Sequence, residues 1–118
     1  MAEILLVDDD PFTLGMTEMI MDDSGFTVIT AESGAEALVK EEAATDLKMV
    51  VSDLNMPEMD GLELFRALRQ KGYQGPFVLL TGDEAAELSR DNPELDAVLT
   101  KDEELASSLP ELVARLVN

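Results

Sequence analysis

Carboxylate side chains directly follow two strand-like apolar runs in this sequence. The first run is followed by Asp8, Asp9 and Asp10, and the third run is followed by Asp53. Acidic groups crowded at the ends of buried strands repel one another, and each is costly to keep ionised without a partner. A divalent cation such as Mg²⁺ relieves this repulsion, because it prefers carboxylate, water and phosphate oxygens. An aspartate beside such an ion can act as a nucleophile toward phosphorus and form an acyl phosphate.

A hydroxyl group and an ammonium group follow two further strand-like runs. Thr81 comes after the fourth run and is followed by Gly82, and Lys101 comes after the fifth run. These two polar side chains can neutralise and orient the oxygens of a phosphoryl group, which is most of what phosphoryl transfer requires. Gly82 leaves room for the incoming group. The four strand ends together indicate a site for phosphoryl chemistry.

Each of these residues also has a purely structural explanation. Asp10 alone fits a helix cap, and the segment 53–57 fits a turn between a strand and a helix. The segment 53–61 has some likeness to a calcium loop, but Pro57 stands where such a loop needs Asp or Asn. We favour a common site, because the carboxyl ends of parallel strands meet at one edge of a sheet.

Short apolar runs alternate with amphipathic stretches along the whole chain. The predicted strands are Glu3–Val7, Phe26–Ala31, Leu47–Ser52, Pro76–Leu80 and Leu95–Leu99. Three of them are nearly continuous in Ile, Leu, Val and Met, which is typical of strands covered on both faces. The second and fifth have the mixed composition of edge strands. The alternation predicts an α/β sandwich with a parallel sheet, in one domain.

Capping signals predict where the helices begin and end. Asp10 followed by Pro11 starts the first helix, which runs to about Asp23 and stops before a left-handed Gly25. The next three are predicted from Ser33 with a capping box to Glu36, from near Gly61 to a stop at Gly72, and weakly from Glu84 to about Arg90. Pro110 suits only a first turn, so the last helix is predicted to begin near Ser108.

The composition excludes several kinds of chemistry. The 118 residues carry a formal net charge of −18 and include no histidine and no cysteine. Catalytic Ser-His-Asp or Cys-His groups, His/Cys zinc sites and disulfides are therefore impossible. The acidity argues against a nucleic-acid partner, and the eight Lys and Arg residues are scattered from Lys40 to Arg115. With no signal-peptide pattern and no apolar run near the roughly 20 residues of a membrane span, we expect a cytoplasmic protein without membrane association.

Four segments resemble the receiver domains of two-component response regulators. They are ILLVDDDP (Ile4–Pro11), VVSDLNMPEMDGLEL (Val50–Leu64), VLLTG (Val78–Gly82) and VLTK (Val98–Lys101). The resemblance covers essentially the whole chain. It implies a flavodoxin-like (βα)5 three-layer sandwich whose five-stranded parallel sheet has the order 2-1-3-4-5, with residues 1–118 forming one receiver domain.

The resemblance also implies roles for the acidic residues. Asp53 corresponds to the phosphoacceptor, which receives its phosphoryl group from a sensor histidine kinase or a phosphotransfer protein. Asp9 corresponds to a direct Mg²⁺ ligand and Asp8 to a ligand acting through water. Asp53 and the main-chain carbonyl of Asn55 complete the implied metal site. The cofactor expected is Mg²⁺.

Further positions match the family's pattern for switching and for phosphoryl lifetime. Thr81 corresponds to the switch hydroxyl and Lys101 to the site lysine. The acceptor loop is shaped by Met56, Pro57 and Gly61, and the rate of spontaneous dephosphorylation is tuned at Asn55 and Asp83. The expected protein is a phosphoacceptor that assists its own phosphorylation and dephosphorylation, signals to a downstream protein by contact and is otherwise not an enzyme.

Two positions depart from the family's pattern. Val98 stands where Tyr or Phe is usual, and Asp102 stands where a proline after a cis bond is common. Neither change removes a group needed for phosphorylation, but both put output through an aromatic switch in doubt. We expect a trans bond between Lys101 and Asp102.

Two other functions fit parts of the same pattern. A pseudo-receiver would be a binding module that is never phosphorylated. A phosphohydrolase of the haloacid dehalogenase type would use Asp8 and Asp10, but Phe12 stands where it needs threonine.

The first helix also bears on partners: Met16 and Ile20 are expected in the core by helical spacing, whereas a docking surface for the kinase on this helix and on the loop after Lys101 is a hypothesis.

Overall fold

A computed structural model describes residues 2–22 and 25–117 of the chain. Its strands are β1 (Glu3–Val7), β2 (Thr27–Ala31), β3 (Leu47–Asp53), β4 (Phe77–Thr81) and β5 (Ala97–Thr100). Its helices are α1 (Pro11–Met21), α2 (Gly34–Ala43), α3 (Gly61–Lys71), α4 (Ala85–Asp91) and α5 (Leu105–Val117). The strands form a parallel sheet in the order β2-β1-β3-β4-β5, which confirms the flavodoxin-like fold.

The register of the sheet aligns the carboxyl ends of the strands with one another. Val7 pairs with Ser52, Asp53 pairs with Leu80, and Thr81 pairs with Thr100. The residues that follow β1 and β5 therefore meet the last residues of β3 and β4 at the same level. As predicted, β2 and β5 lie at the two edges of the sheet.

Side chains of the central strands alternate between two hydrophobic layers. Ile4, Leu6, Met49, Val51, Val78 and Leu80 face the layer that includes residues of α1 and α5. Leu5, Val7, Val50, Phe77 and Leu79 face the other layer, which includes residues of α2 and α3. Each fully buried side chain of this size contributes roughly 1.5–3 kcal/mol. Coverage on both faces explains why these strands are apolar at nearly every position.

The predicted caps of the first two helices are present in the structure. Asp10 caps α1 by accepting from the Phe12 amide at 3.0 Å. Gly25 has φ +86°, and Asp23 lies outside the described residues. Ser33 accepts from the amide of Glu36. The predicted capping box is offset, because the Glu36 carboxylate accepts from Glu32 rather than from the cap residue itself.

The third and fourth helices also begin where the sequence indicates. Asp60 and Glu63 form a reciprocal capping box at α3, and this helix ends at Gly72 with φ +101°. Every residue of α4, all within the described part of the chain, is at least partly exposed. Its weak apolar pattern is thus matched by shallow packing.

The predicted start of the last helix at Ser108 was wrong. α5 begins one turn earlier, at Leu105, and Pro110 lies inside it. Leu105 and Leu109 are both buried in the core layer shared with α1. Their burial offsets the backbone hydrogen bond that Pro110 cannot donate. The predicted start rested on the local cost of proline inside a helix, whereas tertiary packing determines where α5 begins.

Candidate functional site

Three carboxylates converge at the carboxyl edge of the sheet. Asp8, Asp9 and Asp53 each offer an oxygen atom, and these atoms all lie within 4.8 Å of one another. Asp8 and Asp53 are buried, while Asp9 is exposed. Oxygen donors in such a group fit a hard divalent cation such as Mg²⁺. Exposed Asp9 leaves this group open to solvent on one side.

The ammonium group of Lys101 links two of these acids. Its Nζ lies 3.1 Å from Asp53 Oδ1 and 3.2 Å from Asp8 Oδ2. The Lys101 backbone is fixed at the end of β5, where its N–H donates to the Thr81 carbonyl at 2.7 Å. Three carboxylates and one ammonium leave an excess of negative charge, which further favours a cation.

Burial and the neighbouring charges shift the pKa values of both partners. Burial raises the pKa of Asp53, Lys101 partly counteracts this, and the charges of Asp8 and Asp9 add to the rise. For Lys101, burial alone would lower the pKa of the ammonium. The two carboxylates, Asp53 foremost, outweigh burial, so the pKa of Lys101 is raised. Lys101 therefore stays protonated at neutral pH, as its ion pairs require.

Asp10 is oriented toward its own helix. It caps α1 and accepts a hydrogen bond from the hydroxyl of Thr13, which, with the Phe12 amide, lowers the pKa of Asp10. The amide of Asp10 in turn donates to Asp8 Oδ1 at 3.0 Å. Asp10 thus supports the carboxylate of Asp8, and its own side chain serves as the cap that the sequence predicted.

Thr81 ends β4 one position after Leu80, the partner of Asp53 in the sheet, and its hydroxyl is directed into the next loop. The side chain is buried, and its Oγ1 donates to the Asp83 carbonyl at 2.7 Å. A β-carbon at Gly82 would meet open space. Glu84 follows in the left-handed conformation, with φ +64°, immediately before α4. The structure therefore couples the Thr81 hydroxyl to the backbone that leads into α4.

The loop after Asp53 is held against the sheet by backbone contacts. The Leu54 amide donates to the Leu80 carbonyl, and the Gly61 amide donates to the Leu54 carbonyl. A β-carbon at Gly61 would lie 2.5 Å from the Asp53 carbonyl oxygen and 2.6 Å from a methyl group of Leu79. Glycine is required there by close packing. Asn55 and Pro57 are exposed within this loop and Met56 is half-buried.

A groove of about 490 Å³ separates α1 from the start of α5. Lys101 and Leu105 line one side and Met16 and Ile20 the other. Met16 is 52% exposed, so its expected place in the core was wrong, whereas Ile20 packs partly against the core. Helical spacing puts both residues on one side of α1, but of the two it is Ile20 that packs against the core.

Sequence reasoning named two residues near the site, Asp102 and Phe12, without predicting the hydrogen bond of the first or the exposure of the second. Asp102 accepts a hydrogen bond from the amide of Glu104 at 3.0 Å, and an aspartate just before a helix is a signal that could have indicated this. Phe12 is 75% exposed beside the acids. Phe12 follows the cap and the proline in the first turn of α1, and this position was the signal that could have indicated its exposure.

The sequence of this chain matches a family model described as the response regulator receiver domain, over residues 4–109. This chain belongs to the response regulator receiver family. The receiver is 44% identical over 81 residues to the transcriptional regulatory protein GlrR of Escherichia coli, which covers 68% of the chain and 18% of GlrR. It is 33% identical over 116 residues to TrcR of Mycobacterium tuberculosis, covering 96% of the chain and 43% of TrcR. The receiver thus spans less than half the length of these two relatives.

Solved receiver structures are similar over nearly the whole chain. The response regulator TrrA of Thermotoga maritima, in complex with Mg²⁺ and BeF, has a TM-score of 0.86 at 29% identity and covers 98% of this chain and 99% of its own. The chemotaxis response regulator CheY4 of Vibrio cholerae has a TM-score of 0.81 at 31% identity, with 98% of each chain covered. These matches do not favour the phosphohydrolase or the pseudo-receiver.

Family membership supports several general statements about this receiver. Receiver domains are generally phosphoacceptors, bind Mg²⁺ at an acidic pocket and interact with sensor kinases and downstream effectors. The acidic cluster of this chain is consistent with such a pocket. Among the described residues, no helix combines the length and apolar character that crossing a bilayer requires.

Proposed function

We propose that this receiver accepts a phosphoryl group on Asp53 in a reaction that depends on Mg²⁺. The donor would be a histidine of a sensor kinase or of a phosphotransfer protein, and the output would be contact with a downstream protein. One observation carries the proposal: the buried carboxylate of Asp53 shares the ammonium of Lys101 with Asp8, within 4.8 Å of Asp9. We also propose that residues 1–118 together form one receiver domain.

In this proposal, Asp53 supplies the attacking atom. A carboxylate oxygen forms the new bond to phosphorus while the bond from phosphorus to the donor nitrogen breaks. Lys101, already in contact with Asp53, can donate hydrogen bonds to the equatorial oxygens of the incoming group.

We propose metal-binding roles for the carboxylates at the carboxyl ends of the strands. We assign Asp9 and Asp53 as direct ligands, Asp8 as a ligand through water and the Asn55 carbonyl as the main-chain ligand. When bound, Mg²⁺ supplies charge neutralisation for the phosphoryl oxygens. The amide of Asp10, by donating to Asp8, holds that carboxylate toward the cluster.

Thr81 is the proposed link between phosphorylation and output. Its hydroxyl can exchange the Asp83 carbonyl for an oxygen of the acceptor's phosphoryl group, which would release the loop before α4. Shallow packing of α4 makes this movement inexpensive. Because Val98 replaces the usual aromatic residue, we assign the response to this loop. Asn55 and Asp83 are proposed to tune the lifetime of the phosphoryl group.

The phosphodonor is proposed to dock on α1 and the loop after Lys101. Phe12, Met16 and Met19 are exposed at helical spacing on α1, and Met16 borders the groove that Lys101 also lines. Flexible methionine side chains adapt well to a partner helix. This docking would bring the donor histidine close to Asp53.

A labelling experiment tests the function directly. The chain is incubated with Mg²⁺ and acetyl phosphate, and its intact mass is followed. We expect the mass of one phosphoryl group on the wild type and on Asp91→Asn, an exposed control with the same chemical change. Asp53→Asn should stay unlabelled. Equal labelling of Asp53→Asn would remove Asp53 from the acceptor role.

A further inference from the structure

We propose that Asp102 is a positioning residue for Lys101. Its carboxylate caps the turn at the start of α5 and thereby fixes the backbone that carries the site ammonium. This inference rests on the proposed function, because the role of Lys101 in phosphoryl transfer is part of that function. It goes further by assigning a role to a residue that departs from the family's pattern.

The backbone around Lys101 is anchored on both sides. On the strand side, the Lys101 amide donates to the Thr81 carbonyl at 2.7 Å and the Asp102 amide donates to Thr100 at 3.0 Å. On the helix side, Asp102 Oδ1 accepts from the Glu104 amide at 3.0 Å. Asp102 therefore makes hydrogen bonds toward both β5 and α5, and these bonds close the turn between the two elements.

The helix side of this turn is tied to the hydrophobic core. The amide of Leu105 donates to the Asp102 carbonyl at 3.1 Å, and the Leu105 side chain is buried next to α1. A displacement of Asp102 would therefore have to stretch a turn held by packing at one end and by the sheet at the other. The peptide bond from Lys101 to Asp102 transmits this constraint directly to Lys101.

Lys101 needs such a constraint because its side chain is long and flexible. Its Nζ contacts the carboxylate of Asp53, the last residue of β3, at 3.1 Å and that of Asp8, directly after β1, at 3.2 Å. Holding four rotatable bonds in that geometry costs entropy, and a mobile Cα would add to the cost. A capped turn reduces the number of backbone conformations from which the ammonium must reach both acids.

Substitutions at position 102 separate the cap from the charge. Asp102→Asn and Asp102→Ser keep a cap oxygen without the charge, whereas Asp102→Ala removes both. We expect Asp102→Ala to slow labelling of Asp53 by saturating acetyl phosphate about fivefold, the factor by which losing a cap of ordinary strength lowers the population of the ordered turn that positions Lys101. The Asn and Ser variants should stay within about twofold of the wild type. Glu3→Ala removes a carboxylate that accepts from the amides of Thr45 and Asp46 at the start of β1, the end of that strand opposite Asp8, and should leave the rate unchanged.

A double substitution shows whether Asp102 acts through Lys101. In a Lys101→Ala background, whose slower labelling is followed over longer times, adding Asp102→Ala should cause no further loss. An unchanged rate in Asp102→Ala, an equal loss in Asp102→Asn, or a full additional loss in the Lys101→Ala background would each overturn the inference alone. Failure to label wild-type Asp53 would instead overturn the proposed function, and the inference with it.

Discussion

The carboxylates of Asp8 and Asp53, on neighbouring strand ends, are held by the same ammonium group. Lys101 Nζ lies 3.2 Å from the first and 3.1 Å from the second. Both acids are buried, so neither can rely on water to screen its charge. The acceptor aspartate is therefore part of a three-residue charge cluster whose balance can be tested by changing one member at a time.

Removal of the ammonium should destabilise the protein when Mg²⁺ is chelated. We expect Lys101→Met to lower the free energy of unfolding by about 2 kcal/mol, because two buried carboxylates lose their shared partner. Lys48→Met breaks an exposed pair with Asp46 and should cost less than about 0.5 kcal/mol. Urea unfolding followed by circular dichroism in EDTA measures both. Equal losses would contradict a structural role for the shared ammonium.

The pKa of Asp53 predicts a dependence of stability on pH. Because the pKa of Asp53 is raised in the folded state above 3.8, the free energy of unfolding falls as the pH rises from 3.8 to that raised pKa and stays lower at higher pH. Below pH 3.8 the group is protonated in both states and contributes nothing. Without Mg²⁺, Asp53→Asn should thus gain stability over the wild type as the pH rises through and above 3.8. Urea midpoints of both proteins at a series of pH values test this. A stability advantage of Asp53→Asn that shrinks as the pH rises would contradict the raised pKa of Asp53.

Magnesium should stabilise the folded chain through the acidic cluster. At a concentration 100 times its Kd, the expected gain is about 2.7 kcal/mol. The thermal midpoint, followed by circular dichroism, should rise with Mg²⁺ and rise again with beryllofluoride, which mimics a phosphoryl group. Asp9→Asn should weaken the response, while Asp91→Asn should not. No shift in the wild type with both additions would favour a pseudo-receiver.

Close packing at Gly61 should make the acceptor loop sensitive to a single methyl group. Gly61→Ala places a carbon 2.5 Å from the Asp53 carbonyl and should cost about 2–3 kcal/mol. Gly15→Ala is the matched control, because its β-carbon meets open space within α1 and helix propensity favours alanine by up to about 1 kcal/mol. The two variants should therefore shift the urea midpoint in opposite directions. A stable Gly61→Ala would show that the loop can move.

Most of the fold follows from local patterns in the sequence. Apolar runs indicate all five strands because the central ones are covered on both faces, and Asp10 with Pro11 marks α1 because one residue supplies the cap and the next needs no donor. The convergence of Asp8, Asp9 and Asp53 was predictable because parallel strands end at a common edge. Their chemical roles remain predictions for the experiments above.

The features that were not predictable depend on contacts distant in sequence. The start of α5 is decided by the burial of Leu105 against α1, which a local view of Pro110 misses. The exposure of Met16 depends on how far α5 covers α1. Sharing of Lys101 between two acids likewise brings together three strand ends that are distant in sequence, and spacing alone gives no distance for it.

The shallow packing of α4 has a consequence for how this receiver could diversify. Since Leu88, among the described residues of this helix, is the one that packs against a hydrophobic layer, substitutions at its other positions leave both layers intact. Descendants of the same gene could acquire new binding specificities there through surface changes alone. The phosphoacceptor chemistry and the choice of downstream protein can therefore evolve independently.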